Sequence, residues 1–402
     1  MKIQGCETFV VGNPPPHFGG RYFVFVKLVT DDGIAGYGEV HVATFSPHVV
    51  ARMVEDVAAR HAIGHDPFRI ERLCRAVYGS GFTMRPDLSL GSVLSGIETA
   101  CWDLVGKAVG KPIHALLGGR VHERLRSYTY LYPEERDGPD AFQDNRVYRD
   151  PVLAAERAAE EVARGFTAIK FDPAGPYTVY DGRMPSLEAL DRSEAFVREI
   201  RAAVGDRADL LFGTHGQFTA AGAIRLARRL EAYDPLWFEE PVPPDAPAEM
   251  ARVARGTTIP IATGERLTTK HEFARVLEAE AASILQPALG RCGGLLEAKK
   301  VAALAETRHA QIAPHLYSGP IEALANIQFA ACTPNFLLLE SIRTLDGFHA
   351  ELLTRPIRWE DGYVLPPTEP GLGSDLDEAV ARAHPYEGDA LHLEMQETPE
   401  PR

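Results

Sequence analysis

Between residues 125 and 341 the sequence repeats one pattern, a short run of strand character followed by an amphipathic helical stretch. The runs are LRSYTYLY (125–132), AIKFD (168–172), DLLFGTH (209–215), PLWFEE (235–240), PIATGE (260–265), SILQPAL (283–289), AQIAPHL (310–316) and FLLLES (336–341). Between them stand segments such as PVLAAERAAEEVARGF, TAAGAIRLARRLEAY and LLEAKKVAALAETR, whose apolar residues recur at helical spacing. Strands that alternate with helices build parallel sheets, because each crossover returns the chain to the same end of the sheet. Eight such runs predict a (β/α) barrel in which the last helix is weak or absent.

The first 120 residues obey a different rhythm. RYFVFVKLVTD (21–31) is β-branched and aromatic, DDG is a hairpin turn signal, and IAGYGEV supplies the partner strand. From about 46 to 118 the pattern is helical, including SLGSVLSGIETACWDLVGKAVG. The expected division is an α+β unit over 1–122, the barrel over 123–354, and a tail over 355–402 that returns to the first unit. The tail carries strand-like IRWEDGYVL and then Pro/Gly-rich PPTEPGLGSD. The polar stretch 133–150 reads as a mobile loop above the barrel.

Composition narrows the function. At 402 residues and 45 % hydrophobic, the chain can bury a large barrel and a smaller unit. Its formal charge of −14, from 42 basic and 56 acidic residues, argues against a nucleic-acid partner. An anionic substrate would have to be caught locally, by a metal or a few basic side chains. Five cysteines without CxxC spacing suit reduced thiols. The start shows no signal peptide, and no run approaches the roughly 18 apolar residues of a membrane span, so a cytoplasmic protein is expected. P-loop, Rossmann and GxSxG signatures are absent.

A barrel of this type places its chemistry at the C-terminal ends of its strands. Those ends carry Lys170 and Asp172, His215, Glu239 with Glu240, Glu265, His315 and Glu340. A single Glu or His at a strand end is commonly a capping or salt-bridge residue; polar groups on six of eight strand ends make a site. Glu239 and Glu265 lie 26 residues apart, one βα period, so adjacent strands bring both carboxylates to one mouth. Two carboxylates with only oxygen ligands suit Mg²⁺.

WFEEPVPPD, IATGE, QPALGRCGG and APHLYSGP, with GYGEV and IETACWDLVGK at the front, resemble the enolase superfamily over nearly the whole chain. Within it the chain is similar to the mandelate racemase/muconate lactonizing enzyme group, and most to acid-sugar dehydratases of the galactonate and mannonate type. The resemblance implies an enolase-like TIM barrel, (β/α)7β, under an α+β capping domain. It also implies a Mg²⁺ cofactor, with Mn²⁺ as the alternative, and abstraction of the proton α to a carboxylate, chemistry for which the handling of Lys or His bases beside Mg²⁺ is well established. Relatives form dimers to octamers, so a homo-oligomer is expected. By resemblance Glu239 and Glu265 are metal ligands, His315 is the seventh-strand acid or base, and Glu340 lies near the substrate carboxylate or the metal. Lys170 and Asp172 take the second-strand positions of a base or a substrate-binding group.

Two residues depart from the family pattern. Where relatives carry a metal-binding Asp at the end of the third strand, this chain has Gly213, within Gly213-Thr214-His215-Gly216-Gln217. His215 or a water is expected to fill that place, which would free Lys170 to be the base; otherwise His215 is the base. The second departure is Ala288, where racemase-like members carry an Asp that pairs with the seventh-strand His. Without that partner His315 is expected to act as an acid, favouring β-elimination of hydroxide.

The expected activity is therefore that of a lyase on a small-molecule sugar acid, yielding a 2-keto-3-deoxy acid. A racemase, epimerase or lactone cycloisomerase on the same enediolate chemistry is the alternative, and Gly213 also motivates a non-catalytic ligand-binding barrel. Substrate contacts from the cap are expected from His17, Phe18, Tyr22, His41 and the segment Tyr78–Pro86, with Arg85 as a guanidinium for carboxylate or hydroxyls and Tyr132 at the first strand end.

Overall fold

The computed structural model describes residues 1–82, 85–134, 146–175 and 178–393. Most of the 133–150 stretch, and Thr83 and Met84 of the capping segment, lie outside them.

The chain begins with an antiparallel sheet of β1 (Ile3–Gly12), β2 (Tyr22–Thr30) and β3 (Ala35–Val40), in the order β1-β2-β3. β1 adds a strand ahead of the hairpin read from sequence. Helices Pro47–His61, Ile70–Tyr78 and Leu88–Val109 cover one face of this sheet. The longest of them is capped by Asp87, which accepts from Leu90 N, and ends at Gly110 in the left-handed region.

Contact between that helix and β3 depends on missing side chains. A Cβ on Gly38 would lie 1.9 Å from the Gly96 carbonyl oxygen, and one on Gly36 would lie 2.4 Å from that of Ala100. Helix and strand thus meet backbone to backbone. Gly38→Ala should force them apart, at a cost of about 3 kcal/mol, the upper part of the overpacking range. A thermal midpoint equal to that of the wild type would show that the contact is looser than described.

The second sheet is a parallel ring of β4 (Leu125–Tyr130), β5 (Ala168–Phe171), β6 (Asp209–Gly213), β7 (Trp237–Glu239), β8 (Ile261–Thr263), β9 (Ile284–Leu285), β10 (Gln311–Ile312) and β11 (Leu339–Ser341). β11 pairs with β4, and Ile312 bridges to Phe336 just ahead of β11, so the ring closes. One residue from each strand or its immediate extension fills the interior: Tyr128, Ala168, Leu211, Trp237, Ala262, Ile284, Ala313 and Leu338. Helices between the strands cover the outside.

The tail divides between two partners. Hairpin β12 (Arg358–Glu360) and β13 (Tyr363–Leu365), turned at Asp361-Gly362, pairs with β4 at the base of the barrel, so this part of the expected return lands elsewhere. Beyond it Leu372 N donates to Asp103 Oδ1, and Tyr386 N to Val10 O, on the capping unit.

Two buried glutamates of the cap dock it on the barrel. Glu98 accepts from Leu295 N and Leu296 N at 2.9 Å, and Glu39 from Gly319 N at 2.5 Å and Glu322 N at 2.8 Å. Each caps the start of a barrel helix, where free N–H groups and the helix dipole favour an anion.

Candidate active site

Side chains on a strand alternate in direction, so the residues two positions beyond the interior apolar layer point into the same barrel. They are Tyr130, Lys170, Gly213, Glu239, Gly264, Gln286, His315 and Glu340. This ring is the floor of the mouth. Most of its polar members are pressed together in a buried cluster.

Lys170, 2 % exposed, places its Nζ 2.6 Å from Glu239 Oε1 and 3.4 Å from Glu340 Oε1. The Tyr128 ring centroid lies 6.0 Å from the same atom. Burial works against the ammonium, but Glu239 and Glu340 outweigh it and hold its pKa well above the ordinary lysine value. Lys170 starts on β5 and Glu239 ends β7, with β6 between them. The reach is open because β6 ends in glycine: a Cβ on Gly213 would lie 3.1 Å from Lys170 Cε. Gln286 Nε2 at 2.7 Å and Trp237 Nε1 at 3.2 Å donate to the other Glu239 oxygen.

On the opposite side His315 Nδ1 lies 2.9 Å from Glu340 Oε2 and 3.3 Å from Glu265 Oε2. Burial disfavours its charged form, yet these two carboxylates prevail and raise its pKa, so the ring is set to be an imidazolium. Burial opposes ionisation of Glu265 and Glu340 as well. Cationic neighbours, His315 first for Glu265 and Lys170 first for Glu340, nevertheless hold both below the usual carboxylate range. Ala288 does bridge to His315 without offering a carboxylate, but Glu340 supplies one, which corrects the expectation that this histidine lacks an acidic partner.

His215 follows β6 in a left-handed turn with φ 51°, and Glu240 after β7 has φ 40°. Such backbone costs about 1–3 kcal/mol per residue and persists where surrounding bonds impose it. Here Thr214 Oγ1 donates to Glu240 O at 3.1 Å and Gly216 N to the same carbonyl at 2.7 Å. The turn aims His215 Nδ1 at Asp172 Oδ2, 3.4 Å away. Asp172 in turn accepts from Ala174 N at 2.8 Å and from Gln217 Nε2 at 3.4 Å.

From the cap, the Phe18 ring packs tilted against Tyr132 at a centroid distance of 5.5 Å, and Arg343 lies 5.2 Å over the Phe18 ring. His17 Nδ1 pairs with Asn13 O at 2.6 Å within its own loop. Tyr22 OH donates to Phe45 O. His41 stacks parallel to His315, centroids 6.1 Å apart. Arg85 stands exposed ahead of the long capping helix, and no hydrogen bond or ion pair ties it to the mouth among the described residues.

Comparison with known proteins decides the family. Residues 18–118 match the mandelate racemase/muconate lactonizing enzyme N-terminal domain, and residues 153–380 the enolase C-terminal domain-like family. The chain belongs to the mandelate racemase/muconate lactonizing enzyme family of the enolase superfamily. It is 67 % identical to a solved structure from Labrenzia alexandrii DFL-11, named as a candidate member of the same group, with TM-score 0.94 over 99 % of this chain and 100 % of that one. It is 37 % identical to a D-galactonate dehydratase of Ralstonia nicotianae (94 % of this chain, 93 % of the relative). It is 34 % identical to a D-xylonate dehydratase of Haloferax volcanii (96 % and 89 %).

Enzymes of the enolase superfamily generally use Mg²⁺. The donors expected to hold it here, Glu239, Glu265 and His215, do not fit such an ion as arranged. Both Glu239 oxygens are engaged, His215 turns to Asp172, and Gly213 has no side chain to offer. Among the described residues no group of three or more His, Cys, Asp or Glu is placed to hold a metal. A divalent ion about 4 Å from the Lys170 ammonium would meet repulsion of about 8 kcal/mol at an effective dielectric constant of about 20.

Sequence reasoning missed three groups in this family member. Gln286, within the QPALG quoted for its alanine, holds Glu239. Arg291 donates to His41 Nε2 at 2.7 Å, and His392 of the tail packs on His41 at 4.9 Å. Gln286 was within reach of the two-residue strand period; Arg291 and His392 lie in irregular chain and gave no signal. No described helix is long and apolar enough to cross a membrane.

Proposed function

We propose that the chain is a hydro-lyase that dehydrates a sugar acid. The observation that carries this reading is a pair of carboxylate-backed histidines on opposite walls of the mouth. His215 follows the third of eight barrel strands and His315 the seventh, half a turn of the ring apart. The dehydratase names of relatives aligned over most of the chain support the same reading.

In this reaction His215, aligned by Asp172, takes the proton from the carbon α to the substrate carboxylate. Lys170 is not the base, because its proton is held between Glu239 and Glu340. The electron pair left on the α-carbon enters an enediolate, with the Lys170 ammonium and His315 imidazolium as the positive charges on the floor. As the enediolate collapses, the bond to the β-hydroxyl breaks and His315 delivers a proton to the departing oxygen as water. The enol tautomerises to a 2-keto-3-deoxy acid. Acid and base on facing walls suit an elimination whose two protons move at different faces of the substrate.

A sugar-acid library incubated with the full chain in D₂O tests the reading. The expected result is a 2-keto product, trapped with semicarbazide, from at least one acid. Deuterium at Cα with no loss of water would make the chain a racemase or epimerase, for which two facing histidines would also serve. Neither exchange nor product with any acid would sink the proposal.

A further inference from the structure

The carboxylates on this floor already have a cation. We propose that the Lys170 ammonium is the resident positive charge of the site, standing where the family pattern calls for a divalent metal, and that the chain binds no Mg²⁺ or Mn²⁺ there.

Three observations carry the inference together. First, the missing carboxylate and the lysine occupy one volume. Gly213 lies on the strand between Lys170 and Glu239, and a Cβ on it would crowd Lys170 Cε at 3.1 Å and His215 Cε1 at 3.5 Å. An aspartate at 213 would press on Lys170 along its path to Glu239 and oblige the lysine to shift. The glycine thus eases the lysine's path. Second, the ammonium is held on several sides, by Glu239 at 2.6 Å, Glu340 at 3.4 Å and the Tyr128 ring beneath it. A tethered ammonium with three donors satisfies two buried carboxylates without an ion from solution. Third, the remaining Glu239 oxygen is taken by Gln286 and Trp237, so this expected ligand has no oxygen left over.

The inference concerns the cation and goes beyond the proposed reaction, so its test uses no substrate. Full-length protein, stripped with a chelator and dialysed, is titrated with Mn²⁺ while free ion is followed by electron paramagnetic resonance. Wild type is expected to leave the free-Mn²⁺ signal undiminished into the millimolar range. Its thermal midpoint should not move on adding Mn²⁺ or Mg²⁺. Uptake of one equivalent of Mn²⁺ by wild type, or a midpoint raised by the metal, would overturn the proposal.

The double variant Gly213→Asp with Lys170→Ala removes the tethered charge and restores a carboxylate beside Glu239. It is expected to take up one equivalent of Mn²⁺ and to gain thermal stability with it. A folded double variant, checked by circular dichroism, that still ignores Mn²⁺ would show that this pair does not exclude the ion. Should the double variant not fold, the wild-type titration decides alone. A failed library screen beside a clean titration would remove the dehydratase reading and leave this one standing.

Discussion

Replacing His315 by Asn should uncouple the two halves of the reaction: exchange of the substrate α-proton with D₂O continues, while release of water falls by about 10²–10⁴-fold, the range for loss of a positioned acid or base. His215→Asn should abolish both by a similar factor, since nothing can leave before the α-proton does. The asymmetry follows from the environments. His315 faces Glu340 at 2.9 Å and Glu265 at 3.3 Å, which hold it protonated and ready to give a proton. His215 lies 3.4 Å from the Asp172 carboxylate and projects from a left-handed turn that fixes its direction. Exchange measured by NMR and product by semicarbazide are read on the same sample. Should His315→Asn lose exchange while His215→Asn keeps it, the roles are reversed; equal loss of exchange in both would indicate one coupled unit.

Lys170→Met should destabilise the fold by about 3–5 kcal/mol, the usual result of removing one partner from a buried ion pair. Methionine fills nearly the same space, so little of the loss is packing. What remains is Glu239 and Glu340, both buried and facing each other without the charge that separated them. One of them must then be protonated, or water must enter. Lys170→Met with Glu239→Gln should recover a large part of the loss, because it removes one of the stranded charges. Chemical unfolding followed by fluorescence reads both variants. A single variant as stable as wild type would mean that the lysine does not carry the charge of the floor. This experiment needs neither substrate nor metal, and it is independent of the reaction proposed above.

Both predictions rest on residues that sequence placed at strand ends but whose mutual contacts it did not give. The βα rhythm and the two-residue strand period determined by themselves that Lys170, Glu239, His315 and Glu340 end barrel strands and face one mouth. These regularities are local: each follows from hydrogen-bond geometry within a few residues. The hairpin turn at Asp31-Asp32-Gly33 was legible for the same reason.

Which of those side chains touch is not local. Lys170 reaches Glu239 across an intervening strand because Gly213 leaves room, and room is a property of the closed ring. Glu340 becomes the partner of His315 in place of the aspartate absent at 288 because β11 closes the ring beside β10. Arg85, whose chemistry suited a sugar acid, is exposed, because its place in the fold and not its residue type decides its reach. Strand ends could therefore be named from sequence, and a metal-binding trio assembled from them on paper. Only the packed barrel sets the Lys170 ammonium against Glu239 and Glu340 at the floor of that mouth, since which side chains share a volume is settled by tertiary packing.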